Sequence, residues 1–181
     1  RDPDLAMMID QVVVSGGSVS GIGNATATAE FNFYCDPMSA RVVVRSPSTK
    51  TLVPRDLTDE LVLTLDFLDR LPTEDSRAGQ LLRRLLPYLY RASRQVLGLE
   101  GFHLHDTAAL VYCLHPELFE AEEMAGDVEV AGEISSGMTL FDRRPRPEWR
   151  HNMDVATSAD LAEVQEVILR GLRFAAQETP L

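Results

Sequence analysis

The stretch Gln11-Val12-Val13-Val14-Ser15-Gly16-Gly17-Ser18-Val19-Ser20-Gly21-Ile22-Gly23-Asn24 decides the fold. Its β-branched apolar run marks a buried strand. The glycines that follow predict a flexible loop that brings backbone close to a ligand. Working outward, residues 4–9 read as the end of a helix. Asp36-Pro37 opens another, with Asp as N-cap and Pro at the first helical position. A strand is expected over 51–54, and a helix from Thr58 to Leu68 with Leu61, Leu65 and Leu68 on one face. Residues 74–97 are strongly helical, with a kink or break at Pro87. His105-Asp106 heads a helical run from Thr107 to Leu114. Residues 127–134 and 137–142 alternate like a hairpin around Ser135-Ser136-Gly137. Asn152 to Ala156 reads as a last strand and Thr157 to Phe174 as an amphipathic helix. Strands alternating with helices give an α/β class, and residues 1–181 are read as a single domain with a real core.

Composition narrows the function. The net charge is −11, with one lysine, Lys50, among 17 basic residues. A protein that grips phosphate backbones needs a basic face, so nucleic acid is not the expected partner. No apolar run approaches ~18 residues, so no membrane span is expected. Cys35 and Cys113 lie outside any CxxC pair and read as buried free thiols in a reducing, cytoplasmic compartment. The start, Arg1-Asp2-Pro3-Asp4, lacks a signal pattern and an initiator Met. It is read as processed, trimmed, or part of something longer.

Three clusters of polar residues carry the candidate chemistry. Asn24, Glu30 and Asn32 follow the glycine-rich strand exit, where α/β sheets bind ligands. Two amides and a carboxylate suit a polyhydroxylated ligand such as a sugar, and Glu30 and Asn32 share a face if locally extended. The plainer alternative is a polar loop with turn-capping asparagines. The same stretch holds Gly21-x-Gly23-x-x-Thr26, a degraded dinucleotide fingerprint lacking the third small residue. His103-Leu104-His105-Asp106 places a titratable imidazole beside a carboxylate. His103 and His105 alternate like zinc ligands without an evident partner pair, and Asp106 is equally readable as an N-cap. Around Asn152 and Asp154, the arginines Arg143, Arg144, Arg146 and Arg150 read as a carboxylate or phosphate site or, more plainly, a solvated loop, and Glu122, Glu123 and Asp127 as surface charge. Tyr88, Arg91 and Gln95 sit at helical spacing, as a pocket lining or lid or simply as a helix face.

Taken together, these residues resemble the inosine–uridine-preferring nucleoside hydrolases. Val12 to Gly17 is similar to the family's "vvMGG" strand exit. Gly23-Asn24, Ala29-Glu30-Phe31-Asn32 and Asp36-Pro37 are similar to its "GN…AEFN…DP" signature. Leu104-His105-Asp106 with Ala108 resembles "lHDplA", and Val128 to Asp142 its glycine-containing hairpin. The resemblance covers essentially the whole chain, in order. It implies a partial, Rossmann-like sheet with flanking helices and a small C-terminal β-hairpin.

By the same resemblance, Asn24, Glu30 and Asn32 hold the ribose hydroxyls. Asp106 ligates Ca²⁺ and touches a ribose hydroxyl, and His105 protonates the leaving base. The implied reaction is hydrolysis of the N-glycosidic bond of purine or pyrimidine ribonucleosides, a step of nucleoside catabolism and purine salvage. Two departures stand out. Ser15 replaces a usual Met, and the family's N-terminal DxDPGxDD motif, with its calcium carboxylates and general base, has no counterpart. Asp106 alone does not make a calcium site of about six to eight oxygens. The chain is therefore read as a C-terminal portion, weak or inactive alone, that associates as a homo-oligomer or through an exposed sheet edge. The alternative is a truncated, non-catalytic homologue that binds a nucleoside or sugar, or serves as an interaction subunit.

Overall fold

The computed structural model describes residues 8–73 and 75–178. Most of the helix end expected over residues 4–9 lies outside them, as does Glu74. The strands are β1 (Val12–Ser15), β2 (Lys50–Val53), β3 (Phe119–Met124), β4 (Gly126–Val128), β5 (Thr139–Phe141) and β6 (Met153–Ala159). The helices are α1 (Phe31–Cys35), α2 (Pro37–Arg45), α3 (Arg55–Thr58), α4 (Leu65–Asp69), α5 (Arg77–Ala92), α6 (His105–Leu114) and α7 (Leu161–Gln177). One sheet runs β1-β2-β6-β3, with β1, β2 and β6 parallel and β3 antiparallel to β6. The second pairs β4 with β5. The class is α/β, with the small hairpin where the glycine-containing tract predicts it.

Side chains alternate across a strand, and the core follows that rule. Val13, Val53 and Ala156 face a cluster built with α4 to α7, while Val14, Leu52, Met153 and Val155 face Phe33, Val44 and Val128. The two clusters thus take opposite faces of the sheet. Asp36 caps α2 by accepting the Ser39 N–H at 3.0 Å, as the Asp-Pro pair predicts. Asp127 is not simple surface charge: Arg41 and Arg45 both donate to it, which ties α2 to β4.

Several elements differ from expectation. No continuous helix spans Thr58 to Leu68. Leu61 and Leu63, two residues apart, are both buried, and Leu63 exchanges backbone bonds with Phe102 at 2.9 and 3.1 Å. That non-local pairing holds the segment extended between α3 and α4, and leaves Leu65 half exposed. Helix α5 runs through Pro87 without a break and continues as a wider turn, Ser93–Leu97, which ends at Gly98 with φ +68°. The last helix starts later than expected because Thr157 to Ala159 remain in β6. Both cysteines are free but exposed. Phe33 takes the inward face of α1, and Val111 and Tyr112 that of α6, so Cys35 and Cys113 point outward.

Candidate active site

The carboxyl end of β1 delivers the chain into Gly16 and Gly17, with φ of +128° and +69°. Glycine is needed at position 16 for a second reason: a Cβ there would lie 2.5 Å from Glu30 Oε2. That contact defines the loop. The buried Glu30 carboxylate accepts the N–H groups of Gly17 at 2.9 Å, Asn32 at 3.0 Å and Phe33 at 3.4 Å. It is the N-cap of α1 and the clamp on the strand exit at once. Glu30 and Asn32 are therefore not an extended pair sharing a face, since Asn32 is already inside the helix.

The loop expected to be flexible is tied down at several points. Ser18 N–H donates to Thr139 Oγ1 and the Thr139 hydroxyl returns a bond to the Ser18 carbonyl, both at 2.7 Å, so β5 grips the loop. Asp56 accepts from the Val19 and Ser20 amides at 2.7 and 3.0 Å. Burial raises the Asp56 pKa, but hydrogen bonds from the Ser20 side chain and those amides outweigh it, and its carboxyl sits below the usual range. Arg55 Nη1 donates to the Gly23 carbonyl at 2.9 Å. The helix after the loop begins only at Phe31, so the dinucleotide pattern lacks the helix directly after the glycines that it needs.

Asn24 accepts the Phe31 N–H at 2.8 Å, and Asn32 Nδ2 donates to the Ser15 carbonyl at 3.1 Å. Each asparagine thus keeps one amide atom for a ligand: Asn24 a donor and Asn32 an acceptor. Both asparagines cap the backbone and still keep one amide atom each. Opposite stands the first turn of α6. Its N-cap is Leu104, not Asp106, whose exposed carboxylate has no hydrogen bond or ion pair among the described residues. Asn24, Glu30, Phe31, Asn32, His103, His105, Asp106 and Thr107 line one cleft of about 450 Å³. The sequence brings all five candidate residues to this one place.

His105 is held from behind. Its Nδ1 lies 2.7 Å from Thr58 Oγ1, and its ring stacks on His103 with centroids 5.3 Å apart and planes 18° from parallel. Burial pushes the His105 imidazole below its ordinary pKa. The nearby Asp59 carboxylate opposes that, while His103 and Arg55 add to it. Stacked rings do not converge on one metal ion. Among the described residues, no three His, Cys, Asp or Glu side chains form a metal-binding group. Residue reading alone missed Thr58 and Phe31. Phe31 lies inside the Ala29–Asn32 text and is 58% exposed at the cleft. Thr58 carries no sequence signal. The arginines of 143–150 stay exposed, with Arg144 held by Asp142 and Glu148.

Residues 1–166 match the family model described as inosine-uridine preferring nucleoside hydrolase. The chain is 30% identical over 172 residues to the inosine-uridine preferring nucleoside hydrolase of Crithidia fasciculata, covering 94% of this chain and 54% of that one. It is 34% identical over 173 residues to the non-specific ribonucleoside hydrolase RihC of Escherichia coli O7:K1, covering 96% and 55%. The solved plant nucleoside hydrolase PpNRh1 superposes with a TM-score of 0.85 at 26% identity, covering 94% of this chain and 56% of that chain. The fold also matches a purine-preferring ribonucleoside hydrolase from Gardnerella vaginalis, with a TM-score of 0.87 at 24% identity, covering 98% and 56%. The chain spans about half the length of the relatives it matches. With the capped AEFN turn and the His-Asp helix start in one cleft, it belongs to the inosine-uridine preferring nucleoside hydrolase family.

Proposed function

We propose that this cleft binds a ribonucleoside and serves hydrolysis of its N-glycosidic bond to ribose and free base. The observation that carries the reading is the shared cleft. A free amide donor on Asn24, a free acceptor on Asn32 and the open carboxylate of Asp106 face the space that His105 borders. Such groups match vicinal hydroxyls, which donate and accept together. Departure of the base leaves positive character at the anomeric carbon, and a nearby carboxylate stabilises it. Negative charge grows on the base, where His105 is the donor at hand. Phe31 offers an apolar face beside the polar groups. The proposal places the whole chain in one domain and its work in nucleoside catabolism in the cytoplasm.

The resemblance implies Ca²⁺, but the described residues do not fit a calcium site by themselves. Asp106 is an open carboxylate at the cleft, whereas both Glu30 oxygens already receive backbone amides. A hard cation of about six to eight oxygen ligands needs more than Asp106 offers. When bound, calcium would activate water and orient the sugar diol. On this reading its other ligands are not among these 181 residues. Incubating these 181 residues with inosine or uridine and Ca²⁺ should therefore release ribose slowly or not at all. Rapid release would contradict that assignment of ligands.

The partner proposed is a second copy or a chain that supplies another strand. Among the described residues β1 is the edge of its sheet, and a groove of about 380 Å³ beside it is lined by Val12, Val14, Phe33 and Val43. An unpaired edge beside apolar surface invites strand addition. Sedimentation should show association that grows with protein concentration. A monomer at every concentration would rule this out. Among the described residues no helix is long and apolar enough to cross a membrane.

A further inference from the structure

His105 Nδ1 and Thr58 Oγ1 are 2.7 Å apart, and that bond can be made in two ways. Either the hydroxyl donates to a bare Nδ1, or a protonated Nδ1 donates to the hydroxyl oxygen. The choice decides which nitrogen of a neutral imidazole carries its proton. Three features of the geometry favour the first. The separation is typical of a hydroxyl donor, whereas N–H···O bonds centre nearer ~2.9–3.0 Å. The other acceptor open to the Thr58 hydroxyl, the Arg55 carbonyl, lies at 3.3 Å. That carbonyl already receives the Asp59 N–H at 2.8 Å, so it does not depend on Thr58.

We propose that Thr58 is a positioning residue whose hydroxyl donates to His105 Nδ1, holding the ring proton on Nε2 as a hydrogen-bond donor to the base of a bound nucleoside. Thr58 is 2% exposed and lies in α3, which the bond with Leu61 and the Arg55–Asp59 ion pair hold in place. The hydroxyl therefore approaches from the interior. Nε2 has no partner among the described residues, and His105 lines the cleft. The stack on His103 restrains the ring plane. Two contacts together fix a ring that would otherwise turn freely about its side-chain bonds, and leave one N–H to meet the ligand. The role in the cleft rests on the nucleoside reading above, but the tautomer does not.

The test is long-range ¹H–¹⁵N NMR of the histidine rings in the labelled chain, at a pH where the imidazoles are neutral. The wild type should hold the Nε2-protonated form of His105 in excess of about tenfold over the other tautomer, the bias an ordinary hydrogen bond supplies. Thr58→Ser should keep that excess. Thr58→Val, of nearly the same shape, should lose it and show the mixture of an unrestrained ring. A wild-type ring protonated at Nδ1 would overturn the proposal without folding of any variant being at issue. So would an unchanged ratio in a folded Thr58→Val protein. None of these readings depends on turnover, so failure of the nucleoside assignment is seen separately, as absence of nucleoside binding.

Discussion

Replacing Glu30 with alanine is expected to destabilise the protein by about 2–4 kcal/mol and to abolish ligand binding in the same step. The magnitude follows from what the carboxylate holds. It receives three backbone N–H groups from two different segments, Gly17 before it and Asn32 and Phe33 after it. Loss of an N-cap typically costs about 1 kcal/mol. Each amide left buried without a partner adds about 1–3 kcal/mol, less whatever water recovers. Urea unfolding should therefore move to lower concentration by about 1–2 M at a slope of about 2 kcal/mol per molar. Glu30→Gln keeps one acceptor oxygen and should fall between. Binding fails because the same clamp orients Asn24 and Asn32, so loss of affinity alone is no proof that Glu30 touches the sugar. An unfolding curve unchanged by Glu30→Ala would refute the clamp.

The second large effect is expected at His105. In any preparation that releases ribose from inosine, His105→Ala should lower kcat by about 10²- to 10³-fold, the usual effect of removing a preorganised donor from developing charge. Burial holds the imidazole pKa below its ordinary value, so the ring is neutral at pH 7 and a modest rise in pH leaves the donor intact. A riboside whose nitrophenolate leaves as a stable anion needs no donor. Its hydrolysis should be nearly unaffected, which separates a leaving-group role from general damage to the cleft. Equal losses on both substrates would contradict the assignment.

How much of this was legible in the sequence varies with the range of the interaction. Val12 to Val14 and Asp36-Pro37 act through local rules, and strand and helix fall where those rules put them. Asn24, Glu30, Asn32, His105 and Asp106 could be named because their text resembles a family, and they do meet at one cleft. Their individual roles were less legible. Nothing in the spacing of Glu30 indicates that it clamps Gly17, because that depends on the chain folding back. The Thr58 to Leu68 segment departs from its helical spacing for the same reason. Its leucines have helical spacing, but Leu63 finds a backbone partner in Phe102, far along the chain. Thr58, on that segment, looked like a helix residue, and only the packing of α3 beside α6 brings it to His105. The cysteines were expected inside because free cysteine usually is, yet larger neighbours take the inward faces.

Backbone amide NMR during titration with inosine shows whether the cleft between the AEFN turn and the start of α6 is a nucleoside site. A nucleoside in the cleft should give saturable shifts centred on Asn24, Phe31, Asn32, His105 and Asp106, whether or not it is cleaved. Absence of saturable shifts would contradict that assignment. So would shifts centred at the other end of the sheet, around Lys50, Glu123 and His151.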